Sequence, residues 1–435
     1  MSKPIKSKDR DAIIQALNAG VVPRLGLHHV QVGRAAEIAA VVRDAERIAD
    51  EGSAIRFVIG EYGAGKTFFL NLVRLIALEK KLVVVSADLA PDRRLHASSG
   101  QARGLYAELM RNLSTRTRPD GGALQSIVER FVSDAHKAAV AAGRSVEDEV
   151  HVRLAPMMEL VSGYDFASVI SHYWRASEAG DEGGKADALR WLRGEFGTRT
   201  EARQALGVRS IIDDANVYDY LKLMARFVRT AGYGGLLVTL DEMVNLYKLN
   251  SKQARDNNYE QVLRIVNDVL QGSFGGFGFV FGGTPQFLMD TRRGLYSYEA
   301  LQSRLAENSF ARDGLIDLSG PVVRLQALTP EELYVLLCNI RSVFALGDPA
   351  AYLVPDEALT AFMSHCSQTV GEAYFRTPHN TIKAFVNLLS ILEQNPGTRW
   401  QDLLGSVAVA AEGPEDSDAA AADTEDDDDL AAFTL

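Results

Sequence analysis

The most regular feature of the chain is a set of short apolar runs, each closed by glycine or by an acid and separated by longer stretches with helical spacing. The first is Ile55-Arg56-Phe57-Val58-Ile59, followed by a glycine-rich turn, a helical pattern over residues 66–81 and a second run over 82–87 that stops at Asp88. Strand, glycine loop, helix and strand in that order predict a βαβ unit with a parallel sheet. Ahead of it, residues 9–52 read as two helices around a short extended segment at 28–32. Further strands are expected at 236–240, 277–281 and 322–325, which makes five for one sheet.

Between these strands, residues 90–235 are helical and polar in pattern, broken at Pro119-Asp120-Gly121-Gly122, at Gly143 and at Asp181-Glu182-Gly183-Gly184. No run there has the character of a sheet strand, so the stretch is expected to be a long helical insertion. Thr329-Pro330-Glu331-Glu332 is a strong helix start, with proline in the first turn and acids on the positive end of the dipole. Only helical patterns follow it. The expected organisation is therefore a core in two pieces, residues 1–89 and 236–328, around the insertion at 90–235. A small all-helical lid at 329–411 and an acidic tail at 412–435 complete it. The tail is alanine and acid with almost no aromatic residue, too little to bury for it to order itself.

Gly60-Glu61-Tyr62-Gly63-Ala64-Gly65-Lys66-Thr67 fits G-x-x-x-x-G-K-[ST] and lies after a predicted strand and before a predicted helix. Glycines at those positions let successive backbone N–H groups turn toward phosphate, and the helix N-terminus adds positive potential. Lys66 is expected to reach the β- and γ-phosphates of ATP and Thr67 to hold magnesium. The bland alternative is a glycine turn that binds nothing. The strand at 236–240 ends in Asp241-Glu242. The carboxyl ends of parallel strands share one crevice, so Asp241 is expected beside Thr67 in the metal shell and Glu242 beside the attacking water. Taken alone, the pair could simply cap the next helix.

Three further residues are candidates for the chemistry. Thr284, at the end of the run over 277–281, can offer a hydroxyl to the γ-phosphate or the lytic water, or can belong to a glycine-dependent turn. Arg304, in the helix before the last strand, can point at a neighbouring subunit's nucleotide. Arg376, at the start of a lid helix, can reach the γ-phosphate. Either arginine could equally be a surface residue paired with a carboxylate.

Composition changes this picture little. Apolar residues are 47% and charged residues 24% of the chain, ordinary for a soluble globular protein, and no apolar run is long enough to span a bilayer. Without an export signal, the chain is expected to stay in the cytoplasm. Two cysteines, Cys338 and Cys366, rule out a disulfide framework and read as small core residues. The net charge of −11 is misleading, because ten acids lie between Glu412 and Asp429 and the rest of the chain is close to neutral. Arg93, Arg94, Arg103, Arg111, Arg116 and Arg118 face only Asp92 and Glu108 nearby in sequence. This local excess makes DNA a candidate partner, with a solvated helix face as the alternative. The last ten residues, Asp426-Asp427-Asp428-Asp429-Leu430-Ala431-Ala432-Phe433-Thr434-Leu435, read either as a partner-docking peptide or as a solubilising tail.

With His29-Val30-Gln31-Val32-Gly33-Arg34 ahead of the phosphate loop, then the loop, Asp241-Glu242, Thr284, Arg304 and Arg376, the order of pieces resembles the AAA+ ATPases. The branch that includes the origin-recognition and Cdc6-like proteins is the nearest. The resemblance implies an α/β fold with a five-stranded parallel AAA+ sheet and a helical lid. It also implies nucleotide contacts from Val32 and Arg34 before the loop and from Phe68 after it, and a homo-oligomer. The segments over residues 55–70, 87–98 and 374–386 are in addition similar to the BrxD-type ATP-binding proteins of BREX phage-defence systems. What this implies is an ATP- and magnesium-dependent motor or loader acting on DNA or on a partner helicase, with a methyltransferase from the same locus as a further partner. A nucleotide-gated scaffold with little turnover is the alternative. The origin-type proteins usually carry a winged-helix DNA-binding domain after the lid, and no such pattern is read here, so direct, sequence-specific duplex binding is not expected.

Overall fold

A computed structural model describes residues 4–308, 317–376 and 378–405, and leaves the side chains of Ala373 and Arg376 undescribed. Along the chain run α1 (Ser7–Ala19), α2 (Ala35–Ala49), β1 (Ser53–Ile59), α3 (Lys66–Glu79) and β2 (Val83–Asp88). A helical stretch follows, with α4 (Gln101–Arg111), α5 (Leu124–Ala142), α6 (Val146–Met158), α7 (Gly163–Ala179), α8 (Glu182–Leu192), α9 (Arg199–Leu206) and α10 (Val217–Thr230). Then come β3 (Leu236–Asp241), α11 (Val244–Tyr247), α12 (Lys252–Leu270), β4 (Phe277–Gly283), α13 (Pro285–Met289), α14 (Glu299–Leu305) and β5 (Val322–Arg324). The last helices are α15 (Pro330–Phe344), α16 (Asp356–Val370), α17 (Ala373–Arg376), α18 (His379–Gln394) and α19 (Trp400–Leu404). The chain divides into two units, with the boundaries at Val32/Gly33 and Ala327/Leu328.

The larger unit is an α/β structure built on one five-stranded sheet in the order β2-β3-β4-β1-β5, with every neighbouring pair parallel. Parallel strands buried on both faces need apolar residues at odd and even positions alike, which is why these runs are continuous rather than alternating. Val58, Val84, Leu237 and Val280 face α2 and α3, while Phe57, Val85, Leu240, Phe279 and Phe281 face the opposite core. On that second face Phe277, Phe279, Phe281 and Phe57 form a ladder with ring centroids 4.7–5.8 Å apart.

The helical stretch α4–α10 packs on the phenylalanine face, and its own aromatic residues continue that core: Phe131 and Phe166 meet Phe227, and Trp191 meets Tyr220. The breaks read from the sequence are helix ends. α5 stops at Gly143, which adopts the left-handed conformation (φ 64°), and Asp181 caps α8 by accepting from Gly184 N at 3.0 Å. Such a cap is worth about 1 kcal/mol.

In the smaller unit, α1 packs with α15 and α18. Arg10 Nε donates to the Phe344 carbonyl at 3.0 Å, with its guanidinium over the Phe344 ring. Thr329 and Glu332 form a reciprocal capping box at the start of α15, with Pro330 in the first turn. Among the described residues no helix is long and apolar enough to cross a membrane.

Candidate nucleotide-binding site

At the end of β1 the chain turns through residues 60–65 into α3. Gly63 and Gly65 have φ of 77° and 78°, a region open to glycine but strained for other residues. Gly60 sits in a tight space: a Cβ there would stand 3.1 Å from both Ala64 Cβ and the Leu325 carbonyl oxygen. The turn is tied to both flanking strands, because Gly60 N donates to the Gly283 carbonyl at 3.2 Å and Leu325 N to the Ile59 carbonyl at 2.7 Å. From the far side, the Arg34 guanidinium donates to the Ala64 carbonyl and, at 3.4 Å, to the Gln326 carbonyl. Arg34 thus braces the backbone of the loop.

Lys66 and Thr67 open α3, so their side chains stand where the helix leaves its first N–H groups unpaired. Lys66 Nζ donates to the Gly60 and Glu61 carbonyls at 2.9 and 3.0 Å. Burial lowers its pKa, and Asp241, Glu242 and Glu61 oppose that shift. Glu61 and Tyr62 are exposed at the tip of the loop, and Phe68 is half-buried on α3.

Thr67 Oγ1 donates to Asp241 Oδ2 at 3.1 Å. The two residues are not on neighbouring strands, because β4 lies between β1 and β3. Asp241 reaches across it at Gly282, where a Cβ would stand 2.2 Å from Asp241 Oδ1. That oxygen also accepts from Glu242 N at 2.9 Å, so the buried carboxylate is fixed at both oxygens. Glu242 follows at the mouth of the site with φ 56°, a left-handed conformation that non-glycine residues seldom adopt. Loss of part of its water shell raises its pKa, as do the nearby charges of Asp241 and Asp88, while Lys66 and Lys248 pull the other way. Asp88 is paired with Asp241 in the β2–β3 register, and its own pKa is raised, mainly by burial.

Thr284 directly follows Gly283, whose carbonyl holds Gly60. Its Oγ1 accepts from Phe287 N at 3.3 Å as the cap of α13, which leaves the hydroxyl hydrogen to donate. Arg304 lies elsewhere. Its guanidinium donates to Asn267 Oδ1 at 2.5 Å and to the Ala300 carbonyl at 2.8 Å. Asn267 is close in sequence to Val269, whose carbonyl accepts from Ser53 at the start of β1, so Arg304 stands at the end of the strands away from the loop. Val32 ends the first of the two segments that make up the smaller unit. Arg376 ends α17, and its side chain lies outside the described residues, as does the whole 426–435 peptide.

Most of the basic segment after β2 is engaged within the fold. Arg94 is buried, Arg93 lies near Asp92 and Glu108, and Arg111 near Glu108 and Glu195. Arg103 donates to the Phe196 carbonyl, and Arg116 lies 3.4 Å from Glu79. Arg111, Arg116 and Arg118 are the exposed members.

The donor set fits a magnesium nucleotide. Amides, one ammonium and a helix N-terminus can receive phosphate oxygens. One hydroxyl and one carboxylate are the sparse hard-oxygen set with which a protein holds magnesium while phosphate and water complete its shell. Sequence reasoning missed Gly282. Its signal was a glycine pair closing an otherwise aromatic strand, where a missing side chain marks a close approach.

A search among curated proteins finds no match to this chain. The sequence model of the family described as BREX system ATP-binding protein BrxC/D matches residues 5–408, which take in the phosphate loop, Asp241-Glu242 and every strand of the sheet, and the chain belongs to that family.

Proposed function

We propose that this protein is a magnesium-dependent ATPase of the AAA+ kind, closer to BrxD than to BrxC, that works as a DNA-associated motor or loader of a partner helicase in BREX-type defence. The observation that carries the reading is the 3.1 Å hydrogen bond between Thr67 and Asp241. Two residues far apart in sequence thereby set a hydroxyl and a fixed carboxylate at the foot of a phosphate cradle. Lys66 exchanges its two carbonyl partners for phosphate oxygens, a stronger charge-assisted pairing. Thr67 and Asp241 would hold a magnesium ion, which when bound would offset phosphate charge and polarise the terminal phosphoryl group. Glu242 accepts a hydrogen bond from the attacking water and orients it, and the free hydroxyl hydrogen of Thr284 donates to the γ-phosphate.

The test is hydrolysis by the full chain with magnesium, alone and with single- or double-stranded DNA. Glu242→Gln keeps the shape and removes the base, so it should bind ATP normally and lose turnover. Lys66→Ala should lose binding itself. ATP binding without any turnover, with or without DNA, would replace the motor by a nucleotide-gated scaffold.

A further inference from the structure

Glu242 keeps its left-handed backbone because neighbouring elements hold the chain on both sides of it. Before it, Asp241 Oδ1 accepts from Glu242 N. After it, Met243 N donates to the Gly282 carbonyl at 3.0 Å. One further tie comes from a side chain: Asn245 Nδ2 donates to the Leu89 carbonyl at 2.7 Å. Leu89 N in turn donates to the Asp241 carbonyl at 3.0 Å, so Leu89 joins the acid pair to the start of α11 through both of its backbone polar groups.

Leu89 begins a segment that is itself anchored at its far end. Ala90 and Arg93 pair in a tight antiparallel bridge. Arg93 lies near Glu108 of α4. At His96 the backbone is held by Asn258 of α12, a side chain 1% exposed that accepts from His96 N at 2.9 Å and donates to the His96 carbonyl at 3.1 Å. A buried amide that satisfies both backbone groups of one residue fixes that residue's place. The segment over residues 89–96 is therefore a strap, with the helical stretch and α12 at one end and the turn carrying Glu242 at the other.

We propose that Asn245 is a positioning residue that sets Glu242 against this strap, so that the strap, and whatever shifts α4 or α12 beneath it, regulates hydrolysis without altering ATP affinity. The inference rests on the hydrolytic reading of Glu242. Without the Asn245 bond, α11 loses its side-chain hold on the strap, and Glu242, two residues before α11, is held at its left-handed φ by fewer ties and relaxes toward an ordinary one. The carboxylate then leaves the line of the attacking water, while Lys66, Thr67 and Asp241 remain in place.

The experiment is steady-state ATP hydrolysis by the full chain, with direct titration of magnesium-ATP binding. Asn245→Ala should lower kcat by about tenfold to a hundredfold, the cost of a misplaced reacting group, and leave the ATP Kd and KM within about twofold. Asn245→Ser keeps a polar side chain too short to reach Leu89. It should show the same split, and it covers the case in which the alanine variant fails to fold. Asn258→Asp, which loses the donor to His96 but keeps the volume, should lower kcat in the same sense. Turnover near wild type in folded Asn245 variants overturns the proposal, as does an equal loss of binding and turnover. Glu242→Gln, measured alongside, separates the two readings. If it abolishes hydrolysis while the Asn245 variants are normal, only the strap is wrong, whereas normal turnover by Glu242→Gln removes both.

Discussion

Gly282 leaves vacant the space that the Asp241 carboxylate occupies: a Cβ on residue 282 would stand 2.2 Å from Asp241 Oδ1 and 2.9 Å from Leu70 Cδ1. Leu70 is buried in the core between sheet and α3, so the added methyl of Gly282→Ala must displace the carboxylate. We expect overpacking to cost about 1–3 kcal/mol of stability and magnesium-dependent ATP binding to weaken about tenfold, as for a disturbed metal ligand. Urea denaturation reads the first, and titration with ATP in the presence and absence of magnesium reads the second. An unchanged magnesium dependence would show that Asp241 does not hold the ion.

That relationship marks where local pattern stops informing. The five strands were legible because parallel strands buried on both faces must be continuously apolar, and the phosphate loop was legible because its glycines, Lys66 and Thr67 are consecutive in the chain. The order β2-β3-β4-β1-β5 was not, since nothing in the apolar run over 277–281 says that it inserts between β1 and β3. The reach of Asp241 across β4 depends on that order. Arg34 is expected among the nucleotide contacts, and its hold on the Ala64 carbonyl could not be read from the sequence. The pairing of Arg111 and Arg116 was not legible after β2 either, because their partners, Glu195 and Glu79, are distant in sequence. Asn245 gave no signal at all, because its partner is a backbone carbonyl 156 residues away.

Arg56, on the strand that leads into the phosphate loop, is 7% exposed and forms a two-pronged pair with Asp44 at 2.5 and 3.1 Å. Its remaining nitrogen donates to the Leu318 and Gly320 carbonyls at 2.7 and 2.5 Å, so one side chain joins α2, β1 and the approach to β5. Arg56→Ala leaves a buried carboxylate alone and should cost about 3–5 kcal/mol. Replacing both partners, Asp44→Leu with Arg56→Met, should recover only part of this, because the two carbonyls still lose their donor. Denaturant midpoints of the two variants and the wild type measure it, and full recovery in the double variant would show that the carbonyl bonds contribute nothing.

Cys366 is fully buried, and burial pushes its thiol from its ordinary value near 9 up to about 12. The folded state therefore keeps its proton between those values while the unfolded chain loses it, so this group's linkage lowers stability as pH rises from about 9 to 12. At pH 8 the thiol is neutral and inaccessible. Iodoacetamide should label Cys366 only at the rate of unfolding, and the half-buried Cys338, whose pKa is also raised, faster. Mass spectrometry across a urea series checks the order, and rapid labelling of Cys366 in native protein contradicts it.

Arg304 faces away from its own chain's phosphate loop, so any action on nucleotide must be on a second copy's. Within its chain it is exposed and, among the described residues, donates to Asn267 and the Ala300 carbonyl, so Arg304→Ala should change stability by no more than about 0.5 kcal/mol and leave ATP binding intact. Its effect on turnover should appear only at protein concentrations where chains associate. Mixing separates the possibilities further. A Glu242→Gln chain keeps a sound arginine and an Arg304→Ala chain keeps a sound acid, so in a head-to-tail assembly the first completes the second's site. Each variant alone should be inactive, and the mixture should regain a fraction of the wild-type rate set by how often the two kinds adjoin. If Arg304→Ala alone keeps wild-type turnover at concentrations where the chains assemble, as light scattering can establish, Arg304 is a surface residue and each chain hydrolyses ATP by itself.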